Sequence, residues 1–108
     1  MDTTLLTHPI VKAALVALNN TDSKAWFAQF APNVVLTDDG NPHDFNAWSN
    51  GELFKSGGKS YLKSVDRVED GGLTVYGVFH SAQWGEFNTL LKFKVNDDKI
   101  VQLDVGQA

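Results

Sequence analysis

Carboxylate and imidazole side chains follow one another closely in the 108-residue sequence at Asp38, Asp39, His43 and Asp44. Carboxylates and imidazoles bind metal ions and also move protons, so this run could carry either chemistry. Its spacing matches no defined metal-binding loop, and Asp44 is better suited to cap a helix, so we expect no metal ion and no cofactor. Asp38 is then either a solvated turn residue or a carboxylate that faces a ligand. In the second interpretation, His43 at the rim of a pocket is its acid–base partner.

Further candidate groups lie in the second half of the chain, where two arrangements stay open. If Phe79 faces a pocket, Tyr76 and His80 lie on the opposite face of the same strand, where an apolar surface favours dimer formation. In the opposite arrangement, Tyr76 and His80 line the pocket and form the best catalytic pair. Asp104 shares a strand face with Gln102 and is either a polar group inside the cone or part of a loose edge strand.

The elements that must position these residues follow from periodicity. Apolar residues recur at helical spacing from Ile10 to Leu18, and Ala25 to Ala31 predicts a second, aromatic helix that Pro32 ends. Val34 to Thr37 predicts a strand, and Asp44 caps a third, short helix that Asn50-Gly51 closes. The period then changes to two and predicts four strands, Tyr61 to Glu69, Leu73 to Ala82, Phe87 to Val95 and Ile100 to Val105. Helices followed by an antiparallel meander indicate an α+β fold, a cone-shaped curved sheet wrapped around the N-terminal helices.

Aromatic and large apolar residues are numerous for so short a chain. Those expected between helices and sheet are Trp26, Phe30, Trp48, Phe54, Phe87, Leu91 and Phe93, with Tyr61 and Trp84 at the rim. They either form a solid core or line a hydrophobic pocket in the cone. The pocket results if three short helices offer too little surface to pack against every aromatic side chain.

Composition excludes several function classes. The chain carries 9 basic and 13 acidic residues and no cysteine, which rules out disulfides, thiolate metal sites and cysteine nucleophiles. All of the net charge of −4 falls in residues 1–54, so we expect no nucleic-acid partner and a ligand that is neutral or cationic. No apolar run is long enough to span a membrane, and we expect one cytoplasmic domain, residues 1–108, with no membrane partner.

Two stretches of the sequence resemble a known superfamily. The first runs from Leu15 to Asp22 (LVALNNTD) and from Phe27 to Leu36 (FAQFAPNVVL), and the second from Leu91 to Leu103 (LKFKVNDDKIVQL). They are similar to the opening helical hairpin and the closing β-hairpin of nuclear transport factor 2-like proteins, in particular the small SnoaL-like and ketosteroid isomerase-like members. The resemblance implies a cone-shaped α+β domain that associates as a homodimer through its sheet face.

The resemblance also assigns roles to single positions. The general base of ketosteroid isomerase-like members falls on Asp38, which is a residue of the right type. The tyrosine and the protonated acid that donate to the oxyanion fall near Ala14 and Leu91, and neither of these side chains can donate a hydrogen bond. Since one missing donor costs about 10² to 10³ in rate, steroid-type isomerase activity is disfavoured.

Together these observations predict a protein that binds a small hydrophobic or aromatic molecule in an apolar pocket. If it is an enzyme, isomerisation, ring closure and dehydration fit a single carboxylate base at Asp38, with His43, His80 or Asp104 as partners. The alternative is a non-catalytic, dimeric interaction or scaffold domain of the same fold, and the sequence leaves the choice open.

Overall fold

A computed structural model describes all residues of the chain, Met1–Ala108. The helices are α1 (Pro9–Asn19), α2 (Ser23–Ala28) and α3 (Phe45–Trp48), which continues as a π-helical segment, Ser49–Phe54. The side chains of His8, Asp22 and Asp44 cap the three helices by accepting hydrogen bonds from backbone N–H groups of the first turn. None of these helices has the length and apolar character that crossing a membrane requires.

Six strands form one sheet in the order β2-β1-β6-β5-β4-β3. Their bounds are β1 Phe30–Asp38, β2 Asn41–His43, β3 Tyr61–Glu69, β4 Thr74–Ser81, β5 Gly85–Asn96 and β6 Lys99–Gln107. α1 and α2 precede the sheet, and α3 lies between β2 and β3 in the chain. The expected α+β class is confirmed. The sheet is mixed, however, because β1 runs parallel to β6, whereas every other neighbouring pair is antiparallel.

The first strand is where the sequence-based prediction and the structure differ most. The aromatic helix ends at Ala28, not at Ala31, and β1 already begins at Phe30 and includes Pro32. Proline is tolerated there because the β1–β6 register breaks between Phe30 and Val35, and β2 pairs only from Leu36 onward. The residues expected to form only a turn after Asp38 include the short strand β2, and the third helical segment runs past Asn50-Gly51 to Phe54.

The core lies between α1, α2 and the face of the sheet that the helices cover, here called the inner face. Trp26 is at its centre, 2% exposed, and its indole N–H donates to Ser49 Oγ at 3.1 Å. The helical layer is tied to the sheet edge by Asn19, whose side chain exchanges two hydrogen bonds with the backbone of Leu62, at 2.8 and 2.9 Å. These bonds satisfy the edge backbone that no further strand pairs with.

Gly77 in β4 allows β3 to curl inward. A Cβ atom at this position would lie 2.1 Å from the carbonyl oxygen of Ser64, a distance that no side chain can occupy. The pairing of β3 with β4 shifts register on both sides of Ser64, which increases the local bend. The sheet therefore closes around the helices at this edge and forms one wall of the cone.

Candidate functional site

A cavity of about 580 Å³ lies between the helices and the inner face of the sheet. Its wall is mostly apolar, with 12 hydrophobic residues among the 21 that line it. The floor consists of residues from α1, α2 and the π-helical segment, Leu15, Leu18, Trp26 and Leu53, and of the sheet residues Phe79, Phe87, Leu91, Phe93, Leu103 and Val105. The volume is within the range of sites that take small organic molecules.

Strand alternation decides which side chains reach this cavity. On β4, Phe79 and Ser81 point to the inner face, and on β5 Phe87 and Thr89 do so. The residues between them belong to the opposite face of the sheet, here called the outer face. Of the two arrangements that the sequence left open, the one with Phe79 toward the cavity is therefore present.

Asp38 lies at the mouth of the cavity as the last residue of β1. It is half-buried, and its Oδ2 accepts a hydrogen bond from the indole N–H of Trp48 at 3.0 Å. Trp48 is held by α3, whose first turn is capped by Asp44, so the cap and the indole together fix the orientation of the carboxylate. The other oxygen, Oδ1, accepts no hydrogen bond from the protein and is available to a ligand.

The rest of the mouth is acidic. Asp39 follows with a left-handed backbone, φ 50°, and its N–H donates to the carbonyl of Val105 at 2.9 Å. Asp39 and Glu52 line the cavity together with Asp38, and no lysine or arginine does so. His43, on β2, also lines the mouth but is largely exposed and makes no side-chain hydrogen bond. The field at the entrance therefore disfavours anions.

His80 lies on the outer face, away from the cavity. Its Nδ1 is 3.1 Å from Oε2 of Glu86, and its ring stacks on that of Tyr61 at 5.1 Å between centroids. Lys63 donates to both oxygens of Glu86, at 3.0 and 3.2 Å. The hydrogen bonds from Lys63 and His80 lower the pKa of Glu86 below its ordinary value of 4.5. The sequence offered His80 as a catalytic partner, but the alternation of β4 puts it on the far side of the sheet from Asp38.

Asp104 also belongs to the outer face. Its Oδ1 accepts from the hydroxyl of Thr37 at 2.6 Å, and its Oδ2 accepts from the side-chain amide of Gln102 at 2.8 Å. Thr37 precedes Asp38 on β1, so the two neighbours point to opposite faces of the sheet. Asp104 is thus a strand-to-strand contact of the sheet and does not reach the cavity.

Four of the aromatic residues expected in the pocket wall are elsewhere. Tyr61 and Tyr76 are on the outer face, where the Arg67 guanidinium lies 4.0 Å from the centre of the Tyr76 ring. Phe30 and Phe54 belong to solid packing, since both contact the Trp26 ring, at 4.7 and 6.3 Å between centroids. The other five do line the cavity, namely Trp26, Trp48, Phe87, Leu91 and Phe93.

Sequence reasoning did not assign Thr89 to the site, and it placed Ser81 there only in the arrangement in which Phe79 faces the cavity. Ser81 and Thr89 are small polar residues at inward positions of strands, and only the correct alternation of β4 and β5 would have identified them. Trp84, in the turn between those strands, lines the mouth although its surface is 68% exposed. Trp84 is one of the two aromatic residues that the sequence placed at the rim, whereas the other, Tyr61, does not line the cavity.

The oxyanion donors that the resemblance calls for are absent. Leu91 lines the cavity and Ala14 is fully buried in α1, and neither side chain carries a hydrogen-bond donor. No group of three or more histidine, aspartate or glutamate side chains is arranged to hold a metal ion. The ionisable groups at the cavity are the carboxylates of Asp38, Asp39 and Glu52 and the imidazole of His43, and a few hydroxyl and amide groups accompany them.

The fold is similar to that of several solved structures. An NTF2-like protein of unknown function from Cytophaga hutchinsonii superposes with a TM-score of 0.70 and 16% identity, covering 100% of this chain and 95% of that one. A candidate polyketide cyclase from Sinorhizobium meliloti gives a TM-score of 0.67 and 17% identity, with coverage of 91% and 94%. The chain has the nuclear transport factor 2-like fold.

A third structure, TerC co-crystallised with polyporic acid, gives a TM-score of 0.70 and 13% identity and covers 92% of this chain and 88% of that one. No protein-family model matches the sequence, and no curated protein matches it either. At these identities the similarity establishes the fold, and function must be argued from the cavity.

Proposed function

We propose that this protein binds a small, ring-shaped hydrophobic molecule in its cavity and uses Asp38 as a general base on it. The observation that carries the proposal is the position of Asp38, a half-buried carboxylate at the mouth of an apolar cavity of about 580 Å³, with one oxygen held by Trp48 and the other unoccupied. A carboxylate fixed in this way is directed at a ligand without having to reorganise.

The reaction that fits one carboxylate is proton transfer next to a carbonyl group. Asp38 removes a proton from the carbon beside the carbonyl, the electron pair of the C–H bond moves into the enolate, and the carboxylic acid returns the proton to the same or another carbon. Removal of this proton is the part that isomerisation, ring closure and dehydration share. In ring closure the enolate carbon bonds to a second carbonyl carbon and the acid protonates the resulting alkoxide, and in dehydration the acid protonates the departing hydroxyl group. The candidate polyketide cyclase of the same fold supports a reaction of this class.

The charge at the mouth supports a neutral or cationic ligand. Asp38, Asp39 and Glu52 line the cavity without a compensating lysine or arginine, so an anionic ligand would meet only repulsion. The floor, built from Phe79, Phe87 and other apolar side chains, favours a flat ring system because aromatic side chains contact ring faces over a large area.

The test uses 2-tetralone, a neutral bicyclic ketone with exchangeable protons beside its carbonyl. We expect calorimetry to detect binding, and proton NMR in D₂O to show exchange of those protons above the buffer rate. Asp38→Asn should retain binding and lower the exchange rate by about 10² to 10⁴, the contribution of a positioned base. Asp104→Asn is the matched control, since that aspartate lies on the outer face, and it should leave the rate unchanged.

Each result separates the two halves of the proposal. Failure of the wild type to bind any neutral bicyclic probe would exclude the ligand-binding function. Binding with an exchange rate that is equal in the wild type and Asp38→Asn would retain the binding function and exclude the base. A carboxylated probe, 2-naphthoate, should bind more weakly than the uncharged 2-naphthaldehyde.

A second candidate function is a non-catalytic dimeric interaction domain, and one observation favours it. Tyr76, Val78 and Leu90 are half-buried neighbours on the outer face, and Tyr76 pairs directly with Leu90 across β4 and β5. They form a small apolar centre within a polar surface, which is the usual anatomy of an interface. Light scattering would detect a homodimer, and Val78→Lys should convert it to a monomer without changing the binding of 2-tetralone.

A further inference from the structure

The hydroxyl group of Ser81 has an unusual hydrogen-bonding pattern. Ser81 is 5% exposed and lines the cavity at the end of β4. Its Oγ accepts hydrogen bonds from two backbone N–H groups of the following turn, that of Gln83 at 3.2 Å and that of Trp84 at 3.0 Å. A serine hydroxyl can accept two hydrogen bonds and donate one. The N–H groups of Gln83 and Trp84 therefore occupy both acceptor positions of Ser81 Oγ.

The remaining group is the O–H donor, for which the protein provides no acceptor. The cavity wall carries one other hydroxyl group, that of Thr89, and it is paired differently. Thr89 Oγ1 donates to the carbonyl of Gly106 at 3.1 Å, so its proton already has an acceptor within the protein. Ser81 is thus a donor on the cavity wall whose acceptor lies outside the protein. Leaving a buried donor without an acceptor costs free energy unless water or a ligand supplies one.

We infer that Ser81 donates a hydrogen bond to a carbonyl oxygen of the ligand and so selects ring ketones or quinones over hydrocarbons of the same shape. This inference rests on the proposed ligand-binding function and adds the chemical class of the ligand. The two N–H groups that donate to Oγ polarise the hydroxyl and fix its rotation, which makes it a stronger and better directed donor than a free serine. Phe79, which pairs with Phe87 at 5.9 Å between ring centroids, precedes Ser81 on the same face and can hold the ring that carries the carbonyl.

The assignment also accounts for a deficiency of the cavity. The positions where the resemblance places donors hold Ala14 and Leu91, so a ligand carbonyl finds no donor there. Ser81 supplies one from a different strand, at the β4–β5 end of the cavity. The turn after Ser81 is held by a further hydrogen bond, in which Ser60 Oγ accepts from the N–H of Ala82 at 3.0 Å. The position of the Ser81 hydroxyl is therefore fixed by contacts of two serines with this turn.

The test compares two ligands that differ only in the acceptor. 9-Fluorenone and fluorene share a tricyclic skeleton, and fluorenone carries a carbonyl where fluorene has a CH₂ group. We expect the wild type to bind fluorenone roughly 2- to 12-fold more tightly than fluorene, the ratio that one hydrogen bond provides. Ser81→Ala should abolish this preference and leave the affinity for fluorene within about twofold.

A structural role alone would give a different result, because disturbing the turn of Trp84 would weaken both ligands equally. Ser81→Thr keeps the hydroxyl and should keep the preference, and the infrared carbonyl band of bound fluorenone should shift to lower frequency in the wild type and Ser81→Thr only. Equal affinities of the wild type for the two ligands would overturn the inference even if Ser81→Ala does not fold. Failure to bind fluorenone by a protein that binds 2-tetralone would also overturn the inference, whereas failure to bind all three compounds would overturn the proposed function on which it rests.

Discussion

The inner face of the sheet directs Phe79, Phe87 and Leu103 toward the cavity, whereas the outer face of the same strands carries His80, Glu86 and Asp104 in polar contacts. Successive residues of a strand point to opposite sides, so the two surfaces are interleaved in the sequence. The inner face gains stability from burial of apolar area and leaves space for a ligand. The outer face pairs its charges in the presence of water, where each pair contributes little.

This comparison also sorts the acid–base candidates. Asp38 and Thr37 are adjacent in β1, yet their side chains lie on different faces of the sheet. The carboxylate of Asp38 is at the cavity mouth, whereas the hydroxyl of Thr37 donates to Asp104 on the outer face. Asp38 and Asp104 are both acid–base candidates in the sequence, but their carboxylates lie on opposite faces of the sheet. Chemistry is to be expected only where a polar group and an apolar cavity coincide.

The largest expected difference between the faces concerns two neighbours on β5. Phe93 is buried on the inner face and Lys94 is exposed on the outer face. We expect Phe93→Ala to lower the free energy of unfolding by about 3 to 5 kcal/mol, because it removes a large buried ring. Lys94→Ala should change it by less than about 0.5 kcal/mol. Urea denaturation of both variants measures the two values, and similar losses would mean that the faces do not differ in burial as described.

A smaller difference is expected for hydrogen bonds. Ser49→Ala removes the acceptor of the buried Trp26 indole and should cost about 1 to 3 kcal/mol, since no water can replace it. Thr37→Val removes the donor to Asp104, where both groups are half-exposed and water can take over, and should cost about 1 kcal/mol or less. Chemical denaturation compares the pair, and a larger loss for Thr37→Val would contradict the contrast.

The smallest effect concerns pH and the Glu86 ion pair. Lys63 and His80 lower the pKa of Glu86 below 4.5 in the folded protein, so the stabilisation that it contributes is present above pH 4.5 and is lost as the pH falls through the folded-state pKa. Because the group is exposed, we expect a small change in stability that salt reduces. NMR titration should show the pKa of Glu86 rising toward 4.5 in Lys63→Gln, and an unchanged value would exclude the pair.

Local signals in the sequence predicted the local structure well. Asp44 caps a helix as expected, and β3 has the predicted bounds, Tyr61–Glu69. These features depend on a few adjacent residues, so a short window contains the information. The predicted α+β class follows in the same way from the order of helices and strands.

Long-range pairing was not accessible to that reasoning. The parallel contact of β1 with β6 joins residues about 70 positions apart, such as Phe30 and Ile100, and no local pattern encodes it. The alternation of β4 was ambiguous because Tyr76 and His80 on one side and Phe79 on the other are all large rings. The cavity wall was predicted in part, because no local pattern distinguishes Phe30 and Phe54, which pack against Trp26, from Phe87, which lines the cavity.

The three tryptophans all line the cavity and differ in their exposure to solvent, and this difference has an optical consequence. Trp84 is 68% exposed at the entrance, Trp48 donates to Asp38, and Trp26 is enclosed at 2% exposure. Their emission should therefore run from red to blue in that order, and a water-soluble quencher should reach them in the same order. Replacing each tryptophan in turn by phenylalanine assigns the emission to single residues. The tryptophans whose emission changes when a ligand is added then indicate how far into the cone the ligand reaches.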